Sequence, residues 1–258
     1  MMDYKLGKKP ARKNSVILKF ADYLDVSKFP KIPNHFGHEG FQDTFNWGVL
    51  GNDTVGDCVI AGAMHETMIW SRVGQGKIAQ FSKESAIKTY SEITGYSPDN
   101  ANSDQGTDMA VAASYRKNTG VLGSDGIRHK VAGYLALNPG NLQQHLIAMY
   151  LFGAVGIGIL FPNSAMQQFN QGRVWDIDNS SSIEGGHYVP LVANRSHILC
   201  VTWGRLQGMT NEFFQRYNDE SIVYLSEEML KNRKSAEGFD YDQLTVDLVN
   251  LNPGKTIS

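Results

Sequence analysis

Apolar positions recur at helical spacing through the first half of the chain and in strand-like runs through the second. From Cys58 to about Arg72, residues Ile60, Ala63, Met64, Thr67 and Met68 fall at i, i+3, i+4, i+7 and i+8, which predicts one buried helical face that Gly74 and Gly76 end. A second helix is expected over "FSKESAIKTYSEITG" (81–95), with Ser82 as N-cap and Gly95 as stop. A third is expected over "TDMAVAASYRKNTG" (107–120), with Thr107 as cap, Asp108 in the first turn, Arg116 and Lys117 in the last, and Gly120 beyond. A fourth covers 141–153. The period then changes. "AVGIGILF" reads as a buried strand, "GRVWDI" as a short strand, and "HYVPLVANRSHILCVTWG" as two strands around the turn "NRSH". "SIVYLSEEML" adds a late strand and a short helix. Helices before strands predict an α+β fold of two segregated lobes, helical over about 47–135 and β-rich over about 136–258. Residues 1–15 read as a flexible basic tail. Residues 16–46, with Pro30 and Pro33, read as an irregular N-terminal arm.

Composition narrows the function classes. The chain has 258 residues, 41% hydrophobic, enough to bury one large core or two lobes. A net charge of -2 argues against nucleic acid and anionic membrane surfaces as partners. The most apolar stretch, "YLFGAVGIGILF", is too short to span a bilayer, and the basic N-terminus has no apolar signal-peptide core. A cytoplasmic or virion-associated protein is expected. The two cysteines, Cys58 and Cys200, make no disulfide framework and suit a reducing compartment. "HFGHE" (His35, His38, Glu39) has loose metal-ligand spacing without evident further ligands, and "GIGILF" lacks the strand–GxGxxG–helix order, so neither metal nor cofactor is expected.

The chemistry centres on "GNDTVGDC" (51–58), a turn that ends in a cysteine at the mouth of a helix. A helix N-terminus favours a thiolate, and a neighbouring imidazolium favours it further. His187 in "EGGHYVPLV" is the candidate partner. Two glycines before it allow a substrate backbone to approach, and it opens an apolar strand that would fix its ring. His65 lies on the Cys58 helix but seven residues on, beyond hydrogen-bond reach, and reads as packing. Cys200 reads as core, and Asp219 with Glu220 in "RYNDE" as a solvated turn or local ion pair.

The ordered series of motifs resembles the papain-like cysteine peptidases. "FNWGVLGNDTVGDCVIAG" is similar to that family's Trp-containing lead-in, oxyanion loop and nucleophile helix, and "DQGTDMAVAASYRKNTGVLG" to its glycine-containing loop and following helix. "NLQQHLIAMYLFGAVGIGILFPNSAMQQFNQGRVWD" and "GGHYVPLVANRSHILCVTWG" are similar to its later helix and strands. The match runs from about residue 45 to about 225. It implies a two-lobe fold, with the Cys helix in a helical lobe and the His in an antiparallel, barrel-like one.

It further implies a thiol hydrolase acting on amide bonds of a peptide or protein through an acyl-enzyme. Cys58 would be the nucleophile, His187 the base, and the Asn52 amide with the Cys58 N–H the oxyanion hole. Trp203 would shield His187, Gly186 would open the approach to it, and Gln105 and Gly106 would line the substrate cleft.

The resemblance has departures. Val201 stands where the family has its His-orienting Asn. Either another group orients His187, and Thr202 would reach it only if a bulge shifted the strand register, or the pair works alone, or the site is inactive. Asn52 replaces a Gln, one methylene longer. Val59 replaces an aromatic residue. Asp57 either points inward and opposes the thiolate or faces away and caps the helix. A catalytically impaired binding or structural protein, for example of a phage or bacterial assembly, is the alternative reading. The arm is expected to pack on the surface and stay attached.

Overall fold

In a computed structural model, which describes residues 4–23, 32–39 and 46–226, the helices fall where caps and periodicity place them. Helix α1 (Cys58–Gln75) ends at Gly76, whose φ of 70° lets its N–H bond back to Arg72 O. Helix α2 (Lys83–Thr94) opens on a reciprocal box between Ser82 and Ser85. Helix α3 (Met109–Asn118) is capped by Asp108, whose carboxylate accepts from the Ala110 and Val111 N–H groups. Thr107 is not the cap as expected, because its backbone is drawn out of the helix: its N–H bonds Gly7 O and its carbonyl accepts from Lys9. Helix α4 (Leu142–Phe152) is capped by Asn141 and stopped by Gly153.

The strands are β1 (Phe36–Gly37), β2 (Val121–Leu122), β3 (Arg128–His129), β4 (Val131–Ala136), β5 (Val155–Pro162), β6 (Ile183–Asn194), β7 (Ile198–Thr202), β8 (Arg205–Met209) and β9 (Asn218–Ser226). The main sheet runs β4-β9-β5-β6-β7-β8, every pair antiparallel, with β1 added beside β6. "GRVWDI" forms no strand ladder. Trp175 makes a single bridge to Met209, so the segment only brushes β8. Sequence reading did not anticipate β4, an edge strand interrupted by a register shift, or the short helices α5 (Asn163–Asn170) and α6 (Asn211–Tyr217). The short helix expected after Ser226 lies outside the described residues.

The sheet is covered on both faces, which gives two cores. Tyr188 and Val192 of β6 pack with α1, α2 and α3; Val189 and Leu191 pack with α4 and the aromatic residues around Trp175 and Phe213. Contact between α1 and β6 is close at Gly62, where an added Cβ would lie 2.5 Å from the Tyr188 ring. We expect Gly62→Ala to destabilise the protein by roughly 1–3 kcal/mol through overpacking, seen as a lower denaturant midpoint. A midpoint at or above the parent's would refute this contact.

One buried ion pair links the helices to the sheet. Arg116 Nη1 of α3 lies 2.6 Å from Glu66 of α1, with both side chains essentially unexposed. The Tyr188 hydroxyl donates to Glu66 Oε1 at 2.9 Å, and the guanidinium sits 3.8 Å over the Tyr224 ring.

Candidate active site

Cys58 is the first residue of α1 and is almost fully buried. The backbones of Tyr188 and Gly7 lie against its sulfur. The Tyr188 backbone of β6, one residue after His187, meets the thiol; no hydrogen bond joins Cys58 and His187. Burial pushes the thiol up to about 12, with the Asp57 charge adding to it and the two backbones and Lys8 opposing. Burial likewise pulls His187 down to about 3. The expected thiolate–imidazolium pair is therefore not formed in this structure. Desolvation outweighs the helix end, and both groups are neutral.

His187 is oriented by Thr202. Its Nε2 lies 2.8 Å from Thr202 Oγ1, and its Nδ1 is buried with no hydrogen-bond partner among the described residues. A hydroxyl that accepts Nε2–H leaves the Nδ1 lone pair free to take a proton. A register shift puts Thr202 there. Leu191 pairs with Cys200, but Ala193 pairs with Leu199 and Asn194 with Ile198, so a bulge changes the pairing between Leu191 and Ala193. Beyond the bulge, Cys200 and Thr202 share the face of Leu191, Val189 and His187. Val201 turns to the opposite face and packs in the α1 core.

The tip of the β7–β8 hairpin holds the ring from above. Trp203 and Gly204 are its two loop residues, both at positive φ (45° and 80°), the pattern of a type I′ turn. This turn lays the Trp203 ring parallel to His187, 4.4 Å between centroids at 18°. Phe161 meets the imidazole edge-on at 5.4 Å.

The turn before Cys58 is tightly folded. Asn52 is buried, and its Nδ2 donates to Val55 O at 3.0 Å while its backbone carbonyl accepts from Lys5. Asp57 is fully buried and makes no side-chain cap. Burial holds its carboxyl well above the usual carboxylate range, a shift that its own backbone N–H and the nearby Asn52 amide oppose and the Asp104 and Asp53 charges reinforce. It points inward rather than capping the helix. Val59 is core. On the opposite wall, Gly106 is buried and donates to the Tyr90 hydroxyl; exposed Gln105 bonds Asn102 O within its own loop.

Sequence reading missed the segment that fills this cleft. Residues 4–9, expected as a flexible tail, lie across Cys58 and His187 in extended form. Gly7 and Lys8 N–H groups donate to Gly186 O on one wall, at 3.2 and 3.0 Å. On the other wall Thr107 N–H donates to Gly7 O at 2.7 Å, and Lys9 N–H to Thr107 O at 2.9 Å. Tyr4 stacks on Trp203 at 4.9 Å. The approach is backbone to backbone: a Cβ at Gly106 would lie 2.9 Å from the Gly7 carbonyl carbon, and one at Gly7 2.6 Å from Gly56 Cα. The signal for this contact was present as isolated glycines, but nothing in the local sequence pairs Gly7 with Gly106 or Gly186.

The remaining candidates have structural places. His65 Nε2 lies 3.0 Å from Gly48 O and 3.2 Å from Trp47 O. Glu39 pairs with Arg195 at 2.6 Å. No group of three or more His, Cys, Asp or Glu positioned for a metal is found among the described residues. Nor is any helix among them long and apolar enough to cross a membrane. Asp219 and Glu220 are not in a turn but in β9, and Asp219 pairs with Lys8, far away in sequence.

An antiparallel sheet carrying the histidine, packed on a helix that starts at the cysteine, defines a papain-like α+β fold. Solved structures agree. The chain is similar to xylellain, a cysteine protease from Xylella fastidiosa, with a TM-score of 0.65 at 13% identity over 87% of this chain and 98% of that one. Procathepsin B S9 from Trypanosoma congolense matches with a TM-score of 0.58 at 10% identity, covering 86% and 87% of the two chains. A Carica candamarcensis cysteine protease, in complex with E-64, matches with 0.53 at 14%, covering 75% and 99%. No protein-family model matches the sequence, and no curated protein does. The protein is a divergent member of the papain-like fold.

Proposed function

We propose that the protein is a thiol hydrolase that cleaves amide bonds, those of peptides first, through an acyl-enzyme. The observation that supports this reading is His187 with Nε2 on Thr202 and Nδ1 without a hydrogen-bond partner, on the strand whose next residue, Tyr188, meets the Cys58 thiol. In the reaction Nδ1 takes the Cys58 proton, and the sulfur attacks the carbonyl carbon. The tetrahedral oxyanion is held by the Cys58 N–H and, once it turns from Val55 O, the Asn52 amide. His187 then gives its proton to the leaving amine, and water attacks the thioester with His187 again as base. Residues 4–9 must vacate the cleft first. The Gly7 carbonyl is held by Thr107 N–H rather than by Asn52, which is consistent with an intact arm.

Fluorogenic peptides test this on the full chain carrying Lys8→Ala, which loosens the arm. Hydrolysis with a burst of one product per site, lost in Cys58→Ala, is the expected result. Thr202→Val, isosteric but without the acceptor, should cut kcat roughly 100-fold and distort the pH profile. Unchanged kcat in Thr202→Val would remove its positioning role, and turnover that survives Cys58→Ala would end the hydrolase reading.

A second reading has its own support. The neutral thiol and imidazole, and a cleft filled by the chain's own arm, suit a papain-fold protein that binds without catalysis. Absence of turnover from the loosened chain across peptide substrates would favour it.

A further inference from the structure

We infer that the cleft carries a selective pocket for a basic side chain, lysine or arginine, one residue removed from the thiol, and that Lys8 now occupies it. This rests on reading the cleft as a peptide-binding groove, as proposed above.

Most of the arm's contacts with the walls are made by its backbone against Gly56, Gly106, Gly186 and Thr107, and backbone contacts accept almost any peptide. Discrimination must come from side chains. Gly7 lies at the Cys58 sulfur, and the next side chain, Lys8, leaves the cleft floor into the sheet. Its side chain is 0% exposed. The ammonium donates to Asp219 Oδ2 at 2.9 Å and to Lys9 O at 3.1 Å.

The pocket is built for a long stem with a charged end. Its wall at β5 is Gly158, where a Cβ would fall 2.7 Å from Lys8 Cδ and 2.8 Å from Asp219 Oδ1, so glycine is what leaves room for the stem. Asp219 is the acid at its end; the carboxyl of Glu220, the next residue of β9, meets the Ser15 hydroxyl instead. Asp219 Oδ1 is buried without a hydrogen-bond partner among the described residues. Lysine thus uses one of the two oxygens, and a guanidinium would use both. An apolar occupant would leave the buried carboxylate unpaired, and an acidic one would add repulsion.

The test separates this pocket from the chemistry. Dye-labelled hexapeptides, varied in one position at a time among Arg, Lys, Leu and Glu, are titrated by fluorescence anisotropy into the full chain bearing Lys8→Ala and Cys58→Ala. At one position Arg and Lys peptides should bind at least 10-fold more tightly than the Leu peptide and about 100-fold more tightly than the Glu peptide. Adding Asp219→Asn should abolish that preference. Equal affinities, no binding by any peptide, or a preference that survives Asp219→Asn would each overturn the pocket. Should Asp219→Asn fail to fold, the four-peptide comparison decides alone. Hydrolysis by the Lys8→Ala chain with Cys58 intact is read separately. Basic preference in binding without turnover fails the hydrolase reading and leaves the pocket standing; turnover without basic preference fails the pocket.

Discussion

In the full chain at pH 8, Cys58 should react with iodoacetamide roughly 1000-fold more slowly than a cysteine in an unstructured peptide. The sign follows from its environment. Only the thiolate attacks, and burial pushes the Cys58 thiol from 9.0 up to about 12. Each unit costs a factor of about ten in thiolate, so three units give roughly 10³. Below its pKa the log rate should therefore climb one unit per pH unit through pH 10, with no plateau near neutrality. Cys200, also buried, is replaced by Ala so that one thiol is read.

Loosening the arm should reverse the effect. Lys8→Ala leaves Asp219 without its partner and gives up the ion pair that seats the arm, which should uncover the sulfur and raise the rate at least tenfold. A rate plateau below pH 7 in the parent chain would mean that the thiolate–imidazolium pair already exists with the arm in place. That result would contradict the neutral pair described above.

The largest stability effect is expected at Arg116. Replacing it with Ala should cost about 3–5 kcal/mol, because Glu66 would remain as an uncompensated buried charge. For a chain of this size that corresponds to a fall in Tm of roughly 6–20 °C. Glu66 sits on the helix that starts at Cys58, and its partner Tyr188 adjoins His187, so the same change should loosen the site. Replacing both charges with Met and Leu should recover much of the loss, since no buried charge is then stranded. Urea midpoints of the two variants check this. A single mutant within about 1 kcal/mol of the parent would show that Glu66 is reached by water or neutralised.

Much of the helical half was legible because its signals are local. Ser82, Asn141, Gly76, Gly95 and Gly153 act on backbone groups within one turn of themselves, so caps and stops can be read in order along the chain. Thr107 shows where that logic ends: a remote segment claimed its backbone and passed the cap to Asp108. Strands were legible where apolar runs were long, as in β5 and β6. "VAGYLA" and "NEFFQRY" escaped because a short edge strand and a seven-residue helix carry too few periods to stand out.

The site divides in the same way. Placing Cys58 at a helix mouth and His187 on an apolar strand needed only sequence, because turn chemistry and alternation are written locally. Three things were decided by tertiary structure alone. The bulge beyond Leu191 chose Thr202 over Val201 as the partner of His187, since a one-residue slip exchanges the faces of a strand. Burial shifted the titration of Cys58, His187 and Asp57, because solvation depends on everything packed around a group and not on its neighbours in sequence. Closure of the cleft by Tyr4–Lys9, with Lys8 on Asp219, joins residues 211 apart, a separation over which sequence carries no periodic or capping signal.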